Sequence, residues 1–260
     1  MVADNLSLAG KIAIVTGSGR ETGIGAGIAM ALARNGAKVT INHVSEAGAP
    51  RAAAVAQNII QNGGEAIVVQ ADVSDPEDAQ KLAAETLKAF GTDRIDILVN
   101  NAASGTPHSA LEATRQSLDA TFSSIVYAPL FMIQAVLPHM PRGGRIINTG
   151  SIASTLGMAP IAAYGAAKAA LDSFTYALSM ELGRGFGITI NTVSPGPVNT
   201  GALPKEQAER IEGFLVPMTR AEERVGTTSD IADAVLLLVS EKSRWITGQV
   251  ISVSGGITGG

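Results

Sequence analysis

Short runs rich in β-branched residues alternate with helix-length segments along the whole chain, and no other feature restricts its fold as much. Lys11-Ile12-Ala13-Ile14-Val15-Thr16 is continuously apolar in its middle, as a strand buried on both faces should be, and it ends at a glycine. Residues 24–35 follow with helical spacing and stop at Gly36. The pairing then repeats, with strands expected at 38–42, 66–70, 95–99, 145–149, 189–193 and 250–253. Helices are expected at 51–61, 77–90, 111–137, 161–183 and 229–240. Each helix is long enough to carry the chain back across a sheet, so the strands should run parallel through right-handed crossovers, with helices on both faces.

That pattern predicts a doubly wound, Rossmann-like α/β architecture around a seven-stranded parallel sheet. With no repeat, low-complexity tract or linker in its 260 residues, the chain reads as a single domain over 1–260. One stretch breaks the rhythm. Residues 195–225 carry Pro195, Pro197, Pro204 and Pro217 around a short amphipathic piece at 205–215. The stretch follows the C-terminal end of a strand, where such sheets bind ligands, so it is expected to form a substrate loop or lid.

Composition removes several classes of function. A net charge of -4 offers no basic face to nucleic acid. Without cysteine there are no disulfides and no thiolate metal sites, and His43, His108 and His139 lack ligand spacing, so no metal is expected. The most apolar long window, 125–140, is interrupted by Pro129, Gln134 and Pro138; it reads as a buried helix that falls short of a bilayer span. The first residues lack the positive start and apolar run of a secretory signal, which suggests a cytoplasmic protein.

Thr16-Gly17-Ser18-Gly19-Arg20-Glu21-Thr22-Gly23-Ile24-Gly25 joins the first strand to the first helix. Glycines there permit positive φ and close backbone approach, while a helix N-terminus offers free N–H groups to a phosphate. In this position the loop is expected to bind a dinucleotide. An acidic residue at the end of the second strand would hold the ribose 2′-hydroxyl of NAD, but the chain has Asn42-His43-Val44-Ser45. With that acid missing and the Arg20 guanidinium suited to a 2′-phosphate, NADP(H) is favoured over NAD(H), Ser45 being a further candidate contact.

Tyr164 and Lys168 stand four residues apart in an apolar periodic run and project from one helix face about a turn apart. An ammonium beside a phenol lowers the phenol pKa and makes it a usable proton donor near neutral pH, and a hydroxyl such as Ser151 would hold the same substrate oxygen. Taken alone, such a pair is more often a half-buried aromatic beside a solvated lysine. Its context decides between the two.

That context resembles the short-chain dehydrogenase/reductase family over essentially the full length. The matching motifs are Thr16-Gly17 to Gly23-Ile24-Gly25, Asp72-Val73, Asn100-Asn101-Ala102, Ser151, Tyr164 with Lys168, and Pro195-Gly196-Pro197-Val198-Asn199-Thr200. Arg224-Val225-Gly226, Asp230-Ile231-Ala232 and Trp245-Ile246-Thr247-Gly248-Gln249 match as well. The resemblance implies a cofactor site built from Gly17, Ser18, Arg20, Ile24, Ser45, Asp72, Val73, Asn101, Ala102, Tyr164, Lys168, Val198 and Thr200. Asp72 and Val73 would flank the adenine, Asn101 would lie by a ribose, and Val198 and Thr200 would meet the nicotinamide. Ser151, Tyr164 and Lys168 would be catalytic, and a homotetramer would be the assembly.

Three positions depart from the family pattern. The glycine-rich loop has five residues, Ser18 to Thr22, where three are usual; Ile125 stands where the family has an asparagine that supports proton supply to the lysine; and Ser254-Gly255-Gly256 replaces Asp-Gly-Gly. Isoleucine cannot hydrogen-bond. Thr121 and Ser124 lie near it in sequence, so the supply is impaired, or a hydroxyl or bulk solvent reroutes it, or Ile125 shapes a substrate pocket. The implied activity is reduction of a carbonyl substrate, a ketone of some bulk, since Ala103, Ile152, Met158, Ile161, Val198, Leu203, Phe214 and Met218 promise apolar walls. Oxidation of an alcohol by the same residues and a non-redox cofactor-binding role remain as alternatives.

Overall fold

The protein is described by a computed structural model covering residues 6–104, 110–201 and 204–259. Its chain runs β1 (Ile12–Val15), α1 (Ile24–Arg34), β2 (Lys38–His43), α2 (Ala49–Gln61), β3 (Glu65–Gln70), α3 (Pro76–Phe90), β4 (Ile97–Asn100), α4 (Arg115–Phe122), α5 (Ala128–Val136) and β5 (Arg145–Thr149). It continues through α6 (Ala153–Leu156), α7 (Ala162–Phe186), β6 (Thr189–Pro195), α8 (Lys205–Leu215), α9 (Thr228–Val239) and β7 (Val250–Val253). Among the described residues the strands form one parallel seven-stranded sheet in the order β3-β2-β1-β4-β5-β6-β7.

The continuous apolar runs follow from this order. In β1, Ala13 and Val15 pack toward a layer formed with α1, α2 and α9, while Ile14 packs toward the opposite layer with α3 and α5. A strand buried on both faces has no polar face to alternate with. The edge strand β7 shows the contrast, with Val250 47% exposed. Because the order reverses between β1 and β4, a crevice opens outside the carboxyl ends of those strands.

The helix expected over 111–137 is not one regular helix. Leu111 stands fully outside in a separate turn, and α4 begins at Arg115 because Thr114 and Ser117 form a reciprocal capping box. Between α4 and α5, residues Ser123–Tyr127 form a π turn. Pro129 has no N–H to give the carbonyl of Ile125 four residues back, so the α ladder cannot continue there and the chain widens. The helical stretch Arg115–His139 is 25 residues long and meets the length and composition of a membrane span, contrary to the shorter window read from sequence. It is a core helix in this fold, with Met132, Ile133 and Val136 buried in the layer that includes α3.

Candidate active site

A cleft of about 590 Å³ occupies the switch-point crevice. At one end it is lined by Gly17, Arg20, Ile24, Asn42, Val44, Asp72 and Val73, and at the other by Ser151, Tyr164, Lys168, Val198 and Thr200, with Asn101 and Ala102 also on its wall.

The loop end is fixed by hydrogen bonds. Gly17, at φ +61°, passes so close to β4 that a Cβ on it would stand 2.7 Å from Ala102 Cα. The Gly17 N–H donates to Asn42 Oδ1 at 3.0 Å, and Asn42 Nδ2 donates to the Ala71 carbonyl at 3.0 Å. Asn101 Nδ2 donates to the carbonyls of Thr16 at 2.9 Å and Gly17 at 3.1 Å. Thr16 Oγ1 accepts from the N–H groups of Asn101 and Ala102, both at 3.0 Å. Gly23 caps α1 without a side chain and its first turn carries no acid, so among the described residues the leading N–H groups of α1 have no side-chain acceptor. That is the arrangement in which a helix end receives an anion.

Two of the expected cofactor residues do not line the cleft. Ser18 is buried, donating its hydroxyl to the Val15 carbonyl at 2.7 Å and accepting from Asn42 N–H at 3.1 Å, so it ties the loop to the sheet. Ser45 is exposed beyond the cleft, with its carbonyl 2.9 Å from His43 Nδ1. Asp72 does line it, its Oδ1 accepting from Ser74 N–H at 3.0 Å and Ser74 Oγ at 2.7 Å.

The other end is set by packing. Gly165, next to Tyr164, lets α7 approach α6 so closely that a Cβ there would lie 2.6 Å from the Ala153 carbonyl oxygen. Ser151 Oγ accepts from Ala153 N–H at 3.1 Å, which orients its hydroxyl beside Tyr164. Lys168 is buried and donates Nζ to the Thr149 carbonyl at 2.6 Å. Burial pulls its pKa down to about 8, opposed by the charge of Asp172. Tyr164 corrects a sequence expectation: in the free protein burial raises its pKa, and the Ser151 hydroxyl opposes the rise. Nζ is engaged with the strand end and stands 5.6 Å from the centre of the Tyr164 ring.

The expected apolar substrate wall is only partly assembled. Ala103 and Val198 line the cleft; Ile152 is buried against Leu215 and Ile257 instead. On α8 it is Leu215 that turns inward, leaving Phe214 63% exposed, and Met218 is exposed in the turn that follows. Met158 and Ile161 lie outside the cleft lining, and Leu203 and His108 fall outside the described residues. Ile125 is not among the cleft-lining residues and packs with Val126, Ala167 and Leu171. Ser124 does line the cleft and donates to the Ser104 carbonyl at 2.7 Å, whereas Thr121 is buried and donates to Ser117.

Residues 17–258 match the family model described as enoyl-(acyl carrier protein) reductase. A short-chain dehydrogenase/reductase, FrzI, from Cladobotryum sp is 38% identical over 96% of this chain and 97% of its own. The chain is a short-chain dehydrogenase/reductase. Within that family it is 36% identical to versicolorin reductase 1 of Aspergillus parasiticus, over 98% of this chain and 99% of the relative. A solved angucycline C-6 ketoreductase, LanV, with bound NADP superposes with a TM-score of 0.88 at 35% identity over 96% of each chain. Membership makes this protein an oxidoreductase. Sequence reasoning missed the roles of Asn42, taken only as an absent acid, and of the Thr16 hydroxyl, and it named Ser124 without its bond to Ser104, because these bonds depend on contacts distant in sequence.

Proposed function

We propose that this protein reduces a ketone to a secondary alcohol with NADPH, using Tyr164 as proton donor. The observation that carries the reading is one continuous cleft joining the open N-terminus of α1 to Ser151, Tyr164 and Lys168. Glycines whose Cβ atoms would collide with the β4 end fit a backbone cradle for a dinucleotide. Gly17 and Ile24 would hold the pyrophosphate, Asp72 and Val73 would flank the adenine, and Asn101 and Ala102 would lie by a ribose. Val198, Thr200 and Lys168 would serve the nicotinamide end. Arg20, exposed on the lining with no acid at the end of β2, favours the 2′-phosphate of NADP. NADP in the LanV relative supports the same preference.

When bound, the cofactor supplies the hydride. Ser151 holds the substrate oxygen by donating its hydroxyl hydrogen bond. Tyr164 gives that oxygen its phenolic proton as negative charge develops there. Lys168, protonated below about pH 8, stabilises the phenolate left behind. The alcohol oxidation is the same path reversed. A versicolorin reductase and an angucycline ketoreductase among the relatives favour the reductive direction and a substrate of some bulk. The 195–225 segment acts as its lid. Exposed Tyr176, Met180 and Trp245 support a homo-oligomer, a tetramer by family resemblance, in which a second copy covers them.

The test is NADPH consumption across small and polycyclic ketones by the natural protein and Tyr164→Phe. Loss of at least about 100-fold in kcat with unchanged NADPH binding supports the reading. Equal rates for the two proteins, or no consumption with any ketone, would sink it; tighter use of NADH would sink the cofactor assignment.

A further inference from the structure

Tyr164, Lys168 and Asp172 recur at intervals of four along α7 and therefore lie on one face of it. The reaction described above uses the first two and leaves the third without a role. Asp172 is turned toward the sheet: a Cβ on Gly150 would meet Asp172 Oδ1 at 3.3 Å and Thr192 Cγ2 at 2.5 Å. The carboxyl thus fills the space beside the residue that follows Thr149, and Thr149 supplies the carbonyl that holds Lys168. The lysine binds the Thr149 carbonyl, and the aspartate carboxyl lies beside Gly150, the next residue.

The aspartate oxygen there is unusual. Among the described residues Oδ1 is buried and accepts no hydrogen bond; burial raises the Asp172 pKa, and the hydroxyls of Ser154 and Thr192 and the charge of Lys168 oppose the rise. Leaving a buried acceptor unpaired is costly unless something else holds it in place. Its one charged neighbour is the ammonium of Lys168, which is too far away for a contact ion pair but acts on it through a desolvated interior. Around the two groups, α7 contributes Tyr164, the β5 end the Thr149 carbonyl, α6 Ser154 and β6 Thr192; among the described residues no other charge acts on either. Ile125, meanwhile, puts a hydrocarbon against this helix where the family has an amide.

We propose that Asp172 is a positioning residue whose carboxylate keeps the buried Lys168 in its ammonium form, making the proton-delivery pair a three-residue line along α7. Its effect on turnover rests on the ketone reduction proposed above; its effect on the lysine does not.

The experiment follows Lys168 Nζ by ¹⁵N NMR in the free protein across pH, assigned with Lys168→Arg. The natural protein should titrate near pH 8. In Asp172→Asn, which preserves shape and removes charge, the midpoint should fall by about one unit. The alkaline limb of NADPH-dependent reduction should move by the same amount. Turnover then drops about fivefold at pH 8 and hardly changes at pH 6. Asp172→Glu should bring the midpoint back up. If Asp172→Asn does not fold, Ser154→Ala weakens the same carboxylate and should give a smaller shift in the same direction. An unmoved lysine midpoint in a folded variant, or a rate loss equal at every pH, overturns the proposal. A moved midpoint in a protein that reduces no ketone supports the charge coupling and removes the reduction instead.

Discussion

The two ends of the cleft are held by different physics. At the loop end, side-chain amides bind backbone: Asn42 takes the Gly17 N–H and Asn101 takes the carbonyls of Thr16 and Gly17. At the Tyr164 end, helix α7 is pressed against α6 at Gly165, and a buried ammonium is pinned to the end of β5. A hydrogen-bonded cradle fails when a partner is removed, because a buried polar group is left unsatisfied. A packed constellation fails when something is added, because misplacement of about 1 Å costs on the order of 100-fold in rate.

The largest expected effect tests the packed end. Gly165→Ala puts a methyl 2.6 Å from the Ala153 carbonyl oxygen, and backbone cannot swing aside as a side chain would. Separation of α6 from α7 moves Ser151 off Tyr164, so kcat should fall about 100-fold while NADPH affinity stays within about twofold. Steady-state kinetics and cofactor titration read the two quantities separately. A variant that lost both alike would show that the two ends are not independent.

Asn42→Ala is the matching break at the loop end. It strips the acceptor of the Gly17 N–H and the donor of the Ala71 carbonyl. Thermal or denaturant unfolding should register about 1–3 kcal/mol of lost stability, and NADPH binding should weaken about tenfold with kcat at saturation preserved. A fall in kcat without weaker binding would contradict the division.

Buried charge gives the Tyr164 end a pH signature that the amide-held end lacks. Lys168 titrates near 8 in the folded protein and near 10.5 when unfolded, so the unfolded chain binds more protons between those values. Stability carried by this group therefore rises with pH from about 8 to 10, by about 3 kcal/mol at most, while the reductive rate falls over the same range as the ammonium is lost. Lys168→Met should flatten the stability rise. Unfolding curves of both proteins between pH 7 and 10 check it, and parallel slopes would exclude Lys168 as the source.

This contrast also explains what was legible in the sequence. Strand and helix order is written in local periodicity, so β1 to β7 were found within a few residues of their observed ends. Ser151, Tyr164 and Lys168 could be grouped from the sequence, and the cleft brings them together. The direction of the Tyr164 shift was not legible, because it depends on burial and on where Nζ points. Nor were the roles of Ser18 and Phe214, since which side of a loop or a short helix turns inward is decided by distant partners. The π turn had a local cause in Pro129, but its position relative to Ile125 matters only through packing on α7.

Among the described residues a hydrogen bond joins the two ends, and it offers the smallest and sharpest test. Thr22, in the lengthened glycine-rich loop, donates its hydroxyl to the Thr200 carbonyl at 2.6 Å, tying the loop to the start of the 195–225 segment. Gly201 turns immediately afterwards at φ +61°, beyond the end of β6 at Pro195. The bond is exposed and neutral, and such bonds contribute about 1 kcal/mol or less. Thr22→Val keeps the shape and removes the donor. It should raise KM for the ketone about threefold, leave the unfolding midpoint unchanged, and leave Tyr164-dependent chemistry intact at saturation. An equal rise in KM for NADPH and ketone would mean that the extra loop residues couple the two binding steps, whereas a rise for NADPH alone would assign Thr22 to the cradle and leave the ends joined only through the sheet.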